Sequence, residues 1–112
     1  MAGYFDLKAT AGFRFMFNLM AGNHDVILTS QPYDTRQSAE AGIVSVQANS
    51  ANEERYLRKI AADKSPYFVL VAENGEIIGK SEMYSSAAAM EGGITSVKTN
   101  GPGAPTKAAS TP

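Results

Sequence analysis

Two kinds of apolar spacing alternate along this chain, and each occurs twice. From Phe13 to Leu19 every second residue is large and apolar, which places Phe13, Phe15, Phe17 and Leu19 on one face of a strand and within the core. Tyr67 to Ala72 keeps Phe68 and Leu70 at the matching positions. Short strands are expected before these, at Tyr4 to Lys8 and Arg55 to Lys59, and after them, at Val26 to Ser30 and Ile77 to Ser81. Between the last two strands of each set lie Gly22-Asn23-His24-Asp25 and Glu73-Asn74-Gly75-Glu76. Asn-Gly predicts a type I′ hairpin turn, since both residues tolerate positive φ.

The period then changes. Between Asp34 and Ala48, Ala39, Ile43 and Val46 fall at helical spacing, as do Met90, Ile94 and Val97 in the second set. Asp34 with Gln37 reads as a capping box, and Ser85 as the cap of the second helix. Asn49 and Asn100-Gly101 stand where left-handed C-terminal caps belong. Gly42 and the pair Gly92-Gly93 interrupt the helices. They recur either for close packing or through shared descent.

The two sets are copies of one another. Displacing the chain by 51 positions gives 13 identities in 33 pairs between residues 17 and 49, where chance gives about two. Each unit is too small to hold a sufficient core by itself, and the polar connection Ser50 to Glu54 is too short to separate them. The expectation is one domain, residues 1–101, made of repeats 3–50 and 54–101 about a pseudo-twofold axis. Its fold class is α+β: two tandem βββα repeats, with two helices packed on one face of an antiparallel sheet. Residues 102–112 contain no large apolar side chain and are expected to form a disordered tail.

Composition narrows the function classes by exclusion. The 112 residues carry a net charge of -1, which argues against a protein built mainly to neutralise phosphate. There is no Cys and one His, so thiol nucleophiles, thiolate metal sites and His-rich cages are out of reach. Neither a secretory signal nor an apolar run near the roughly 20 residues of a membrane span stands in the sequence. A cytoplasmic, membrane-free protein is expected.

Further features of the sequence carry a resemblance. Phe13-Arg14-Phe15, Asn18 to Asn23, Val26 to Ser30 and Ser81 to Ser86 are similar to the YegP-like family of bacterial domains of unknown function. So are the helix ends Gly42 to Val46 and Gly93 to Val97, and Glu54-Arg55-Tyr56. The resemblance implies units of about 50 residues joined in one continuous sheet, with C-terminal strands exchanged between units. It implies a monomer in which two repeats stand in for a dimer, and a tail that adds a strand near Ala104 to Ala109. It brings no activity and no functional residues.

No catalytic, cofactor-binding or metal-ligating set emerges from the residues. His24 reads as an exposed turn residue. Glu40 and Glu91, the only identically matched carboxylates, read as solvated helix-face residues rather than an acid/base pair. Tyr33 and Tyr84 read as aromatics packed over the helix starts. Arg55, Arg58, Lys59 and Lys64, with Tyr56 among them, form the densest basic stretch, a format that binds single strands. Glu53, Glu54 and Asp63 leave residues 53–64 at only +1, however, and the stretch reads equally as a charge-protected edge or solvent face. The sheet face opposite the helices is left open, with Arg14, Met16, Asn18 and Met20 alternating along it beside Tyr4. The Met residues there read either as gap fillers or as an adaptable binding surface. The function expected is therefore a non-enzymatic module binding protein or peptide through the open sheet face or edge. The alternative is a weak nucleic-acid binder using the Arg55–Lys64 strand.

Overall fold

A computed structural model describes residues 3–108. Alternation at Phe5 and Leu7 forms β1 (Tyr4–Thr10), which pairs antiparallel with β2 (Arg14–Met20), placing Phe5 opposite Leu19 and Leu7 opposite Phe17. β3 (Val26–Thr29) follows, then α1 (Arg36–Asn49). A 3-10 turn at Glu53–Arg55 leads into β4 (Tyr56–Ile60), β5 (Pro66–Val71), β6 (Ile77–Lys80) and α2 (Ala87–Asn100). The register of β4 on β5 repeats that of β1 on β2 with every position displaced by 51, Tyr56 facing Leu70 as Phe5 faces Leu19. Duplication is therefore written in the hydrogen-bond ladder as well as in the sequence.

One sheet of seven strands results, in the order β4-β5-β6-β3-β2-β1-β7. Both helices lie on one face, and Ala39, Ile43, Val46, Met90, Ile94 and Val97 are buried there against Phe5, Leu7, Phe17, Leu19, Phe68 and Leu70. Each of these side chains larger than Ala39 contributes on the order of 1.5–3 kcal/mol. α1 rests on β2 of its own half and also on β5 and β6 of the other, while α2 rests on β5 and β3. At the seam, Thr29 opposite Lys80 is the registered pair between β3 and β6. The helices thus bind the halves where the sheet is thinnest.

Several expectations change at this level. Thr106–Ala108 forms β7, parallel to β1, so the sheet is mixed rather than wholly antiparallel and residues 102–108 are not a disordered tail. The strand needs no large side chain. Main-chain bonding at an edge suffices, with Phe5 N–H donating to the Pro105 carbonyl at 2.8 Å, Gln47 Nε2 donating to the Ala104 carbonyl at 2.9 Å, and the small Ala104 buried in the core. The strand from the second repeat's end covers the first repeat's edge, as the resemblance implied. Residues 109–112 of the expected tail lie outside the described residues.

Phe13 is not core. The chain turns at Gly12 and Phe13, both at positive φ (81° and 61°), so alternation starts only at Arg14 and the Phe13 ring is 93% exposed. The helix caps are Thr35 and Ser86, one residue later than Asp34 and Ser85, accepting from Ser38 N–H and Ala89 N–H. The helices end without a left-handed residue: Ser50 and Gly101 have φ of -67° and -63°, and their N–H groups close onto the Val46 and Val97 carbonyls. The turns after β2 and β5 are not type I′. Gly75 N–H reaches the Ala72 carbonyl and His24 N–H the Ala21 carbonyl, with Gly75 and His24 alone at positive φ there, which is a type I turn followed by a bulge residue.

Candidate functional site

The face away from the helices holds the alternate residues of every strand. Asp6 lies opposite Asn18, Asn18 opposite Thr29, Thr29 opposite Lys80 and Lys80 opposite Val69, so one row of side chains crosses the sheet. Lys8 opposite Met16 and Tyr4 opposite Met20 lie on the same face. Met16 and Met20 are half-buried and Asn18 is buried, its carboxamide oxygen accepting from Thr29 Oγ1 at 2.9 Å. The row read from the sequence as Arg14, Met16, Asn18 and Met20 beside Tyr4 is thus a single strip on the open face.

At the pseudo-twofold axis this face sinks into a groove of about 700 Å³. Residues 51 apart pair up around it: Val26 with Ile77, Thr29 with Lys80, Ser30 with Ser81, and Gln31 with Glu82. The last turn of each meander explains its polar rim. Ser30 Oγ accepts from Phe17 N–H at 2.9 Å and Ser81 Oγ accepts from Phe68 N–H at 3.0 Å, and each hydroxyl donates to the next carbonyl at 2.8 Å. The serines are fully engaged, leaving Val26 (40% exposed) and Ile77 (51% exposed) as the apolar surface presented to solvent. Met20 stands opposite Val26 across β2 and β3 and extends that surface. The groove escaped sequence reasoning because Val26 and Ile77 looked like ordinary strand residues; a bulge after Leu19 and after Leu70 turns them outward.

The basic stretch is largely spoken for. Arg58 is bidentate on Glu91, at 2.6 and 2.8 Å, and reaches Glu53 at 2.8 Å, while Lys98 also pairs with Glu53. Arg55 Nε donates to Asn49 Oδ1 at 3.0 Å. Lys98 and then Arg58 hold the Glu53 carboxyl well below the usual carboxylate range, at about 2, and Arg58 in turn lowers Glu91. Burial pushes the Tyr56 phenol up, and its hydroxyl donates to the Ser50 carbonyl at 2.6 Å. Lys64 sits in the turn after β4 at φ 73°, off the strand.

The remaining candidates fall into structural places. His24 occupies a hairpin turn, its Nδ1 3.1 Å from the Tyr4 hydroxyl. Glu40 faces Arg36 on its own helix at 3.4 Å and Glu91 faces Arg58, so each carboxylate answers an arginine. Tyr33 and Tyr84 stack on Phe17 and Phe68 with rings 11° from parallel, and their tips lie over Gly42 and Gly93 at mid-helix rather than over the helix starts. Among the described residues, no group of three or more His, Asp or Glu gathers to hold a metal ion, and no helix is long and apolar enough to cross a membrane.

Comparison with known proteins agrees with this architecture. The domain of unknown function DUF1508 matches twice, at residues 14–56 and 61–107, each match running from the second strand of a repeat past its helix. A UPF0339 protein of Bordetella pertussis is 57% identical over 107 residues, 96% of each chain. The UPF0339 protein YegP of Escherichia coli K12 is 50% identical over 101 residues, 90% of this chain and 92% of that one. The solution NMR structure of the E. coli protein, itself described as of unknown function, superposes with a TM-score of 0.91 at 48% identity, covering 96% and 93% of the two chains. That of a Shewanella oneidensis UPF0339 protein gives 0.90 at 46% identity, covering 96% and 92%. With its tandem matches and its seven-stranded sheet, this chain belongs to the DUF1508 family, the group of the UPF0339 YegP proteins.

Proposed function

We propose that this protein is a non-enzymatic interaction module that binds a protein or peptide through the open face of its sheet. One observation carries this reading: the groove on the pseudo-twofold axis, lined toward one end by Val26, which Met20 extends, and toward the other by Ile77. Exposed apolar residues toward the two ends of a groove with a polar middle suit an extended peptide, and Met adapts to more than one shape. The strongly shifted groups, Glu53, Arg58 and Tyr56, belong to ion pairs and a buried hydrogen bond that tie β4 to its surroundings, which gives no reason to seek acid/base chemistry there. Nucleic-acid binding by the Arg55–Lys64 stretch has to compete with Glu53 and Glu91 for Arg58.

The test is retention from a low-salt host lysate, with protein and nucleic acid both analysed. The expected result is a stoichiometric protein retained by the wild type and lost from Ile77→Asp and Met20→Asp, both of which keep native amide spectra. Retention that survives both substitutions, or retention of nuclease-sensitive material alone, rejects the reading.

A further inference from the structure

The two outer strands of the pseudo-symmetric halves occupy equivalent places, yet only one is covered. Outside β1 lies β7, in parallel, with Phe5 opposite Thr106 and Leu7 opposite Ala108. Outside β4 no strand lies among the described residues. Phe5 N–H points outward to Pro105, so the next residue but one, Leu7, also turns its main-chain groups outward. Through the shared register, Arg58 and Ile60 match Leu7 and Ala9 and turn theirs away from β5. Tyr56 N–H, which matches that of Phe5, is already taken by the Glu53 carbonyl within the 3-10 turn. The free stretch of β4 is therefore about as long as the stretch of β1 that β7 covers.

We propose that the β4 edge is a docking site for an acidic extended segment of a partner, added in parallel as β7 is added to β1. β7 places Lys107 in register with Asp6 on the open face, where Asp6 pairs with Lys8 of its own strand at 3.5 Å and the Lys107 ammonium lies over the Tyr4 ring. At the position of Asp6 the second half has Leu57, 44% exposed, and at that of Lys8 it has Lys59, exposed and without a carboxylate partner among the described residues. A guest in the same register thus puts an apolar residue beside Leu57 and an acid two residues later beside Lys59. Arg58 does not obstruct it, since Glu91 and Glu53 draw that side chain to the helix side. A second copy is the wrong guest: β4 carries no acid, so antiparallel pairing of two β4 edges leaves Lys59 opposite another lysine or an apolar residue such as Leu57.

The proposal uses a surface separate from the groove, so the two readings fail separately. The experiment titrates the ¹⁵N-labelled full chain with the acetylated peptide Gly-Ala-Pro-Thr-Leu-Ala-Glu. That peptide copies residues 103–108 with Leu in the place of Lys107 and adds a Glu. The control is Gly-Ala-Pro-Thr-Lys-Ala-Lys. The first peptide is expected to shift the amides of Arg58 and Ile60 and slow their exchange, with the control about fivefold weaker or worse. Lys59→Glu, on an exposed side chain, reverses that order. Absence of any shift along β4, or equal response to both peptides, overturns the proposal. Shifts confined to Val26 and Ile77 overturn it too while leaving the groove reading in place.

Discussion

A single side chain decides what each helical glycine does. A Cβ at Gly42 meets the Tyr33 hydroxyl at 2.5 Å and Cζ at 2.9 Å, and one at Gly93 meets Tyr84 Cζ at 2.6 Å. Neither ring can swing away freely, because each is stacked on a buried phenylalanine. Gly42 and Gly93 therefore recur for packing, a choice the sequence left open. Gly92, one residue away, has open space around it. Gly93→Ala is expected to cost about 1–3 kcal/mol through overpacking, whereas Gly92→Ala gains up to about 1 kcal/mol from helix propensity. Urea denaturation of the two variants checks the opposite signs. From the sequence, the displacement by 51 pairs Gly93 with Gly42 and Gly92 with Ala41, which singles out Gly93 but not the reason, since the tyrosine that decides it lies nine residues upstream.

Among the elements, β4 and β1 solve one problem differently. β1 buries Leu7 in the core that also takes in Ala104, whereas β4 has Arg58 at that position and ties it to Glu53 and Glu91. The ionic solution responds to acid. The Glu53 carboxyl titrates at about 2 when folded against an ordinary 4.5, so its ion pairs stabilise the fold fully above pH about 4.5. That contribution is lost as pH falls toward 2. Glu53→Gln is expected to lower the urea midpoint near neutral pH and to converge on wild type through this window. A difference that stays constant from pH 7 to pH 2 counts against the assignment. The strands and helices themselves were legible in the sequence, because periods of 2 and 3.6 report one-sided burial. β7 was not legible from its residues, because it is held by main-chain bonds and by the one small residue Ala104, which leave no apolar pattern to read.

The whole molecule is held across its middle by the helices. Only Thr29 and Lys80 are in register between β3 and β6, while α1 spans β2, β5 and β6 and α2 spans β5 and β3. The two repeats are therefore expected to unfold as one unit despite their thin seam. Val46→Ala, a fully buried change on α1, should cost about 2 kcal/mol or more. It should also lower amide protection of β5 and β6 as much as that of β2, which hydrogen exchange reads residue by residue. Loss of protection confined to the first repeat would show the halves to be separable. The open face and its groove also belong to this scale, since the groove that Val26 and Ile77 line forms only where the two repeats are joined.

The sequence by itself determined the duplication, the order of strands and helices and the apolar residues that make the core, because these follow from local periodicity and from comparison of the chain with itself. It also carried the family likeness. Tertiary structure alone decided which side chains the turns expel, as with Phe13, and which glycine the tyrosine ring demands. It decided which edge a strand covers and that Arg58 is neutralised by Glu53 and Glu91. Each of these depends on groups far apart in the chain meeting in space, and spacing along the sequence holds no record of such meetings.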